Sequence, residues 1–224
     1  MSTRIWKIDM RQIQNGVSRP RGRPPIRTDD DTRRLILAAA AQELQANGYA
    51  ATCMNDVAQR AGISTKTLYR LIPTKAELFA GVVSDRIGRF ILAIDDGVLD
   101  ALDPAAALER ILIAYGTLTL NPETIAISRL VIGESDRFPE IATMFYKSAV
   151  LRTSEAIESF LRRQCERGHM RLDDPEVAAS MLRGMMIMEP QRAAMLRQRP
   201  VPEAEEIARR ARFAAHIFLD GCRA

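Results

Sequence analysis

The sequence predicts an all-α protein, with an N-terminal three-helix helix-turn-helix domain followed by a helical bundle. Three observations predict this class. Residues 52–79 show two short helical patterns around a glycine. From Lys75 onward, apolar residues recur at helical spacing and no alternating strand pattern appears. At 224 residues and 47% hydrophobic content, the chain is long enough to bury a second core behind a small first domain.

The first 28 residues predict a basic, flexible arm. They hold seven Lys/Arg against one Asp, whereas residues 29–224 hold 25 against 27. The segment PRGRP within the arm is similar to the core of an AT-hook. Arg21 and Arg23 flank Gly22, so both guanidinium groups can lie in a narrow A·T minor groove without a side-chain clash. The alternative is a disordered basic leader that helps solubility.

The leader does not resemble a targeting signal. The segment MSTRIWKIDMRQIQNGVS lacks an uninterrupted apolar core and a small-residue cleavage site, and no later apolar run is long enough to span a bilayer. Cys53, Cys165 and Cys222 are odd in number and far apart, which indicates a reducing compartment and no disulfide framework or metal site. We therefore expect a cytoplasmic protein without a membrane partner.

Residues 52–79 predict two short helices around a glycine turn, followed by a further helix. Val57, Ala58 and Ala61 share one face of the first short helix, and the small Ala58 lets the second helix cross closely. Gly62 ends the first helix because glycine adopts a positive φ without a Cβ clash. This arrangement is typical of a DNA-binding motif, and its alternative is an ordinary helical hairpin with a solvated polar face.

The second short helix, which Ser64 caps, is predicted to enter the major groove. Leu68 and Leu71 face inward, while the outward positions carry hydroxylated, basic or aromatic side chains. Such side chains suit base edges and phosphates. These outward positions are Thr65, Lys66, Thr67, Tyr69 and Arg70.

The third helix of the motif begins after Pro73. Thr74 and Glu77 have the spacing of a capping box, which places Lys75 in the first turn. A cation at that position opposes the helix dipole, so a DNA phosphate explains Lys75 better than helix stability does.

These residues carry a family resemblance. The segment GYAATCMNDVAQRAGISTKTLYRLIPTKAELF resembles the DNA-binding domain of TetR-family transcriptional regulators, and RRLILAAAAQELQANGY resembles its first helix. The resemblance covers residues 29–80 and implies that Thr52, Thr65, Lys66, Thr67, Tyr69, Arg70 and Lys75 face DNA, next to the cap Ser64. Two positions depart from the family. Leu71 replaces an aromatic residue or His, which removes an expected phosphate contact, and Ile72 replaces a core Phe.

The remainder of the chain predicts a helical bundle. Predicted helices cover residues 75–96, 104–120, 122–134, 138–168, 175–189 and 203–221, with proline or glycine at most of the breaks. The predicted domains are therefore a basic arm at 1–28, a helix-turn-helix domain at 29–80, and an effector-binding and dimerisation domain at 81–224.

The bundle also carries a resemblance. RLVIGESDRFPEI, residues 129–141, resembles a stretch of AefR-like members of the family, whose C-terminal domain carries ligand binding and dimer contacts. The resemblance itself says little about the ligand. Apolar and aromatic side chains lie on the helices that enclose the cavity in these relatives, and they predict a small apolar or aromatic effector. Candidate ligand-binding residues are Phe90, Ile94, Tyr115, Leu118, Leu130, Phe138, Met144, Phe145, Met181 and Met185. For each of them the alternative is plain core packing.

The last two helices are predicted to form a homodimer interface. One helix-turn-helix makes few base contacts, so selectivity for a palindromic operator requires two, about 34–36 Å apart. The interface candidates are Ala178, Met181, Leu182 and Met185 on one helix and Ile207, Ala211, Ala214, Ala215 and Phe218 on the other. The alternative is that these stripes close the core of the single chain.

The predicted function is a sequence-specific, dimeric transcriptional regulator that binds double-stranded DNA. Most proteins it resembles are repressors that an effector releases from the operator, and activation stays open. The helix from Lys75 would transmit effector binding by changing the separation of the two DNA-contacting helices. No cofactor or metal ion is expected.

The sequence leaves two other classes of protein as alternatives. An enzyme would need convergent catalytic groups, yet the chain has two histidines, His169 and His216, and no HExxH, GxSxG or P-loop motif. We therefore predict no catalytic residue. A nonspecific architectural DNA-binding protein would use the basic arm alone, which leaves the large helical body without a role.

Overall fold

The computed structural model describes residues 27–222, and this part of the chain is helical without β-strands. The helices are α1 Asp29–Ala51, α2 Met54–Arg60, α3 Thr65–Leu71, α4 Lys75–Ala93, α5 Asp96–Leu99, α6 Pro104–Thr119, α7 Pro122–Glu134, α8 Pro139–Phe145, α9 Arg152–Glu166, α10 Pro175–Met195 and α11 Ala204–Cys222. A π-helical turn, Tyr146–Leu151, joins α8 to α9. The all-α class predicted from the sequence is confirmed.

Short-range capping explains where the bundle helices begin. Asp103, Asn121 and Asp174 precede helices that start with proline, and each accepts hydrogen bonds from backbone N–H groups of the first turn. A proline at the first helical position loses no intrahelical hydrogen bond, because that N–H has no partner there. The predicted starts at prolines 104, 122 and 175 are therefore found in the structure.

Three predicted helices differ from the observed ones. The helix expected at 138–168 begins at Pro139, contains the π-helical turn, and ends at Glu166. The helix expected to stop at 189 continues through Pro190 to residue 195. The nitrogen of Pro190 cannot donate a hydrogen bond, but its ring is buried in the bundle, and this packing keeps the helix continuous. Helix α4 ends at Ala93, and the short α5 follows.

Two clusters of buried side chains hold the molecule together. One cluster joins helices α1–α4 to α7 and α8, with Ile36, Leu68 and Phe79 fully buried beside Ile127 and Ile141. The other lies among α6, α9, α10 and α11. Because α7 and α8 contribute to the first cluster, the N-terminal helices pack directly on the bundle. A displacement of α7 would therefore also move α1 and α4.

Helices α6, α10 and α11 approach closely at Gly116. A Cβ atom on Gly116 would lie 2.7 Å from Ile207 Cγ2 and 3.0 Å from Met186 Cε. Both distances are shorter than ordinary van der Waals contact, so only glycine allows this approach without displacing buried neighbours.

Most of the predicted dimer-interface residues form this core instead. Six of the nine are buried within the single chain: Ala178, Leu182, Ile207, Ala211, Ala214 and Ala215. Met185 and Phe218 are half-buried against the same cluster, and Met181 is 64% exposed. The prediction was therefore wrong for the buried positions, because a side chain that closes the core of its own chain cannot also contact a partner.

No helix within residues 27–222 combines the length and the apolar character that a membrane crossing requires.

Candidate nucleic-acid interface and ligand cavity

Helices α2 and α3 form a helix-turn-helix around Gly62. This residue has φ +66°, in the left-handed region that glycine adopts without strain. The turn is closed by two hydrogen bonds, from Gly62 N to Gln59 O at 3.0 Å and from Ile63 N to Ala58 O at 3.0 Å. Together they satisfy carbonyls at the end of α2 and direct the chain into α3.

Helix α3 presents its polar face to solvent. Leu68 and Leu71 are buried, whereas Thr65 and Lys66 are exposed and Tyr69 is 47% exposed. The predicted DNA-contacting positions thus lie outside the core. The interface itself stays a prediction.

The start of α3 is held by Ser64. Its Oγ accepts a hydrogen bond from Thr67 N at 3.1 Å and lies 2.8 Å from Thr67 Oγ1. Ser64 is exposed and Thr67 is half-buried. Because both hydroxyl groups are engaged with each other, these two residues orient α3, and a contact with DNA would compete with this pair.

Arg70 is bound to another helix. Its guanidinium donates two hydrogen bonds to the carboxylate of Asp29, at 2.8 and 2.7 Å. These bonds hold the pKa of the Asp29 carboxyl below its usual value. Both side chains are more than half exposed, and exposed pairs contribute little to stability. A phosphate oxygen can therefore replace Asp29 as the partner of Arg70.

Thr52 was predicted to face DNA, but the structure places it elsewhere. Its side chain is buried, and its Oγ1 donates a hydrogen bond to Gly48 O at 2.6 Å. This bond satisfies a carbonyl at the kinked end of α1, where Gly48 has φ +75°. Thr52 therefore stabilises the α1–α2 connection.

Lys75 has an intramolecular partner that its sequence neighbourhood does not indicate. Its Nζ donates hydrogen bonds to Ala50 O at 3.0 Å and Thr52 O at 2.9 Å, and it lies 4.7 Å from the centroid of the Tyr49 ring. Carbonyl groups at the end of α1 thus balance the ammonium charge. A phosphate is therefore not needed to explain a cation in the first turn of α4, because these carbonyls supply the negative end of a helix dipole. A contact between Lys75 and DNA stays a prediction.

Leu71 and Ile72, which replace the family's usual side chains, are both buried core residues. Arg33, which the sequence analysis did not single out, donates from Nη2 to Leu71 O at 3.0 Å and so fixes the end of α3 on α1. Arg21 and Arg23 lie outside the described residues.

A cavity of about 270 Å³ lies between α4, α6, α7, the π-helical turn, α9 and α10. Its volume is just under the range of about 300–1,000 Å³ that is common for small-molecule sites. The lining is mainly aliphatic and includes Val83, Ile87, Leu118, Ile127, Val131, Phe145, Ala149, Val150, Ile187 and Met195. Such a lining suits an apolar or aromatic molecule.

Three of the ten predicted ligand-binding residues line this cavity: Tyr115, Leu118 and Phe145. Phe90 instead lines a more open groove on the other side of α6, although it is itself almost completely buried. The groove has a volume of about 830 Å³. The sequence could not separate these positions, because a helix with apolar residues on two faces can line either space.

The other predicted ligand-binding residues lie elsewhere. Ile94 is a buried core residue, and Met185 packs against the same cluster. Leu130 and Met144 pack against the N-terminal cluster. Phe138 contacts Tyr49 edge-on, with ring centroids 5.2 Å apart, and Met181 is on the surface. These six residues do not line the cavity, and their assignment to a ligand stays a prediction.

The cavity also has polar groups that the sequence analysis missed, including Thr124, Arg183 and Gln191. The Oγ1 atom of Thr124 is buried and has no hydrogen-bond partner among the described residues. Arg183 had a visible signal, because it is the only charged residue in the apolar run from 181 to 188. A charge in such a run requires a polar partner or a ligand.

The cavity shares its wall with the core of the N-terminal helices. Val83 and Ile87 on α4 and Ile127 and Val131 on α7 line the cavity and belong to the cluster that packs α1 to α4. A molecule in the cavity would therefore contact the helices that position the helix-turn-helix.

An apolar strip remains exposed on α10 and α11. It consists of Val177, Met181, Met188, Phe213 and Ile217, each at least 46% exposed. On α10 the three residues are spaced four and seven apart, which places them along one helix face. Large apolar side chains exposed on neighbouring helices are typical of a protein interface.

The described residues contain no cluster of three His, Cys, Asp or Glu side chains arranged to hold a metal ion.

Comparisons with known proteins agree with this architecture. Residues 36–82 match the sequence profile of the bacterial regulatory proteins of the tetR family. Residues 106–222 match the profile of the AefR-like transcriptional repressor C-terminal domain. A curated relative, the HTH-type transcriptional regulator EthR of Mycolicibacterium smegmatis, is 28% identical over 152 residues, which cover 66% of this chain and 68% of EthR.

Solved structures show the same fold. A TetR-family regulator from Mesorhizobium loti has 25% identity and a TM-score of 0.75, covering 88% of this chain and all of that one. The flavonoid-responsive regulator FrrA has 26% identity and a TM-score of 0.69, covering 87% of this chain and 98% of its own. Regulators of this family bind operator DNA, dimerise and bind small-molecule effectors. The chain belongs to the TetR family of transcriptional regulators and carries an AefR-like C-terminal domain.

Proposed function

We propose that this DNA-binding regulator is a dimeric repressor, which a small apolar or aromatic effector releases from a palindromic operator. The observation that carries the proposal is the apolar cavity whose α4 and α7 walls also form the core of the DNA-binding helices. An effector there has direct access to the elements that set the position of α3. The protein is not an enzyme on this proposal, and it acts in the cytoplasm, where bacterial DNA lies.

The coupling follows from packing. Side chains of α4 and α7 interlock with α1, so a ligand that separates these two helices cannot do so without moving α1 and the helix-turn-helix. Two DNA-contacting helices in a dimer must match the spacing of successive major grooves, about 34–36 Å. The effector lowers operator affinity if it binds better to an arrangement with a different spacing.

The proposed effector class rests on the cavity lining. Aliphatic side chains with one phenylalanine and few polar groups favour a compact apolar or aromatic body. FrrA, a structural relative at 26% identity, is named for its response to flavonoids, which are aromatic. Flavonoids are therefore a reasonable starting set for this chain.

Filling the cavity tests the repressor proposal. We expect Ile187→Trp to bind DNA flanking its own gene as the wild type does, because Ile187 lies away from α3 and lines the cavity. Release of that DNA from Ile187→Trp should need an effector concentration at least about tenfold higher, because the indole occupies the space of the effector in the cavity. This corresponds to a loss of about 1.4 kcal/mol in the free energy of effector binding. The measurement is fluorescence anisotropy of labelled DNA, titrated with flavonoids and other small aromatic compounds.

Leu92→Trp is the matched control. Leu92 is 77% exposed on α4, so the same indole is added outside the cavity. It should respond to the effector as the wild type does. Equal responses of Ile187→Trp and the wild type would contradict the cavity as the effector site, and DNA binding that no compound alters would remove the effector from the proposal.

The proposed DNA surface combines α3 with the basic arm. Thr65, Lys66, Tyr69 and Arg70 occupy the major groove, and the arm lies in the adjacent minor groove. Support for the first part is the exposure of α3. Support for the second is the charge of the arm and its PRGRP segment.

The arm is tested by removing two arginines. We expect the double variant Arg21→Ala, Arg23→Ala to bind the operator at least about tenfold more weakly and to reduce the salt slope by about two, because two cations leave the groove. The control removes the same charge elsewhere in the arm, by Arg4→Ala with Lys7→Ala. If both double variants lose the same affinity, the arm acts as a nonspecific basic leader. Titrations at several salt concentrations supply both quantities.

The dimer is proposed to form through the exposed strip on α10 and α11. The strip replaces the buried residues that the sequence suggested, and each of its side chains is exposed in the single chain. A twofold interface brings the same patch of both chains together, so each apolar side chain contributes twice.

A further inference from the structure

We propose that the effector is a small amphiphile with one carboxylate, which Arg183 binds while the apolar body fills the cavity. This inference rests on the proposed function, because it assigns the ligand class of the same cavity. The observations that carry it are the charge of the lining, the orientation of Arg183 and its place along α10.

The charged side chains that line the cavity are both cations. They are Arg86 and Arg183, and no Asp or Glu lines it in the part of the chain that the structure describes. Arg86 Nη1 lies 3.6 Å from Glu123 Oε2. Across the described residues no carboxylate oxygen lies within 4.0 Å of Arg183. The lining therefore carries a positive charge that a bound anion would balance, in surroundings that are mainly aliphatic.

Hydrogen bonds hold the Arg183 guanidinium in place. Nε donates to Tyr115 Oη at 3.2 Å, and Nη1 donates to Ser154 Oγ at 2.9 Å. A guanidinium has five N–H donors, so three remain after these two bonds. They can form the paired hydrogen bonds with which arginine binds a carboxylate. Because Tyr115 and Ser154 already restrict the side chain, little conformational entropy is lost when the anion binds.

Tyr115 supplies a second donor at the same end. Its ring is buried, and its oxygen accepts from Arg183, so its own proton is free to be donated. Burial raises the pKa of the Tyr115 hydroxyl, although Arg183 acts in the opposite direction. The phenol consequently stays protonated at neutral pH and can donate to an anion beside Arg183.

The rest of the cavity lining indicates why the proposed ligand has an apolar body. Arg183, Ile187, Gln191 and Met195 follow one another at four-residue intervals on α10, and all four line the cavity. At about 1.5 Å per residue this face extends about 18 Å, with the charge at one end. A molecule with its anionic group at one end and an apolar remainder matches this distribution.

The inference is tested with two pairs of compounds that differ in charge at one end. The pairs are octanoate with octan-1-ol and 3-phenylpropanoate with 3-phenylpropan-1-ol, each titrated calorimetrically into the full-length protein. We expect each carboxylate to bind the wild type roughly 10- to 100-fold more tightly than its alcohol, the range of a charge-assisted hydrogen bond.

Variants then assign the preference to one side chain. Arg183→Met should abolish it, and Arg183→Lys should keep part of it, because the ammonium retains the charge without the paired geometry. Arg192→Met removes the same charge from an exposed position of α10 and should leave the preference unchanged. Circular dichroism and DNA binding confirm that each variant is folded.

Three results would overturn the inference. Alcohols that bind the wild type as tightly as the carboxylates would reject an anionic ligand, as would a preference that survives in Arg183→Met. If none of the four compounds binds, the inference also fails. The effector cavity itself would then still be decided by the comparison of Ile187→Trp with Leu92→Trp.

Discussion

Replacing Met181 with aspartate is expected to produce a monomer whose operator affinity is lower by about 100-fold or more. Met181 is 64% exposed at the centre of the apolar strip, and twofold symmetry would bring two new carboxylates into one desolvated interface. A monomer presents one helix-turn-helix, and losing the second linked site costs about 10²- to 10⁴-fold in avidity. Sedimentation at micromolar concentration and anisotropy with operator DNA measure both effects.

Phe213→Asp extends the test to α11, because Phe213 is 65% exposed in the same strip. Leu92→Asp is the control, since it places a carboxylate on an exposed apolar position outside the strip. The control should remain a dimer. A dimer that persists in both Met181→Asp and Phe213→Asp would show that the two chains meet at another surface.

Removing Lys66 or Tyr69 is expected to weaken operator binding about 5- to 150-fold for each residue. This range corresponds to about 1–3 kcal/mol, the cost of a lost contact to a base edge. Both side chains are exposed on α3, and neither supports the core, so folding should be retained. Lys66→Ala and Tyr69→Ala are compared by anisotropy on operator DNA and on DNA of random sequence, at two salt concentrations.

The chain offers matched controls for both changes. Tyr146 and Lys147 are exposed neighbours in the π-helical turn, far from α3 in the sequence, and their alanine variants remove the same chemical groups. Replacing a residue that contacts bases should lower the affinity for the operator more than the affinity for random DNA. Replacing a residue that contacts a phosphate should lower both affinities equally. If both single variants, Lys66→Ala and Tyr69→Ala, bind the operator with wild-type affinity, α3 does not contact the operator.

The helix-turn-helix could be predicted from sequence because its signals are local. Ser64 caps α3 by accepting from a backbone N–H three residues away, and Thr74 caps α4 in the same way. Gly62 adopts the left-handed conformation at the position where the turn requires it. Each of these contacts spans at most a few residues, so sequence spacing alone identifies it.

The contacts at this site that the sequence did not predict join residues distant in sequence. Lys75 was assigned to a phosphate, yet it bonds to Ala50 O, which lies 25 residues earlier. Arg70 forms its ion pair with Asp29, 41 residues away. A polar side chain near a motif binds whichever group tertiary packing places beside it, and helical periodicity does not identify that group.

The dimer surface shows the same limit on α10. Met181 and Leu182 are neighbours, and both are suitable for an apolar interface, yet one is exposed and the other is fully buried. Adjacent positions on a helix are rotated by about 100°, so only the placement of α6 and α11 decides which side is covered.

Taken by itself, the amino-acid sequence determined the all-α class, the helix starts at capped prolines and the family, because caps, prolines and 3.6-residue periodicity act within one or two turns. Tertiary structure alone decided which apolar faces are covered, where the cavity lies, and that Arg183 of α10 meets Tyr115 of α6 across 68 residues. Those features depend on the packing of helices against one another, which no short segment encodes.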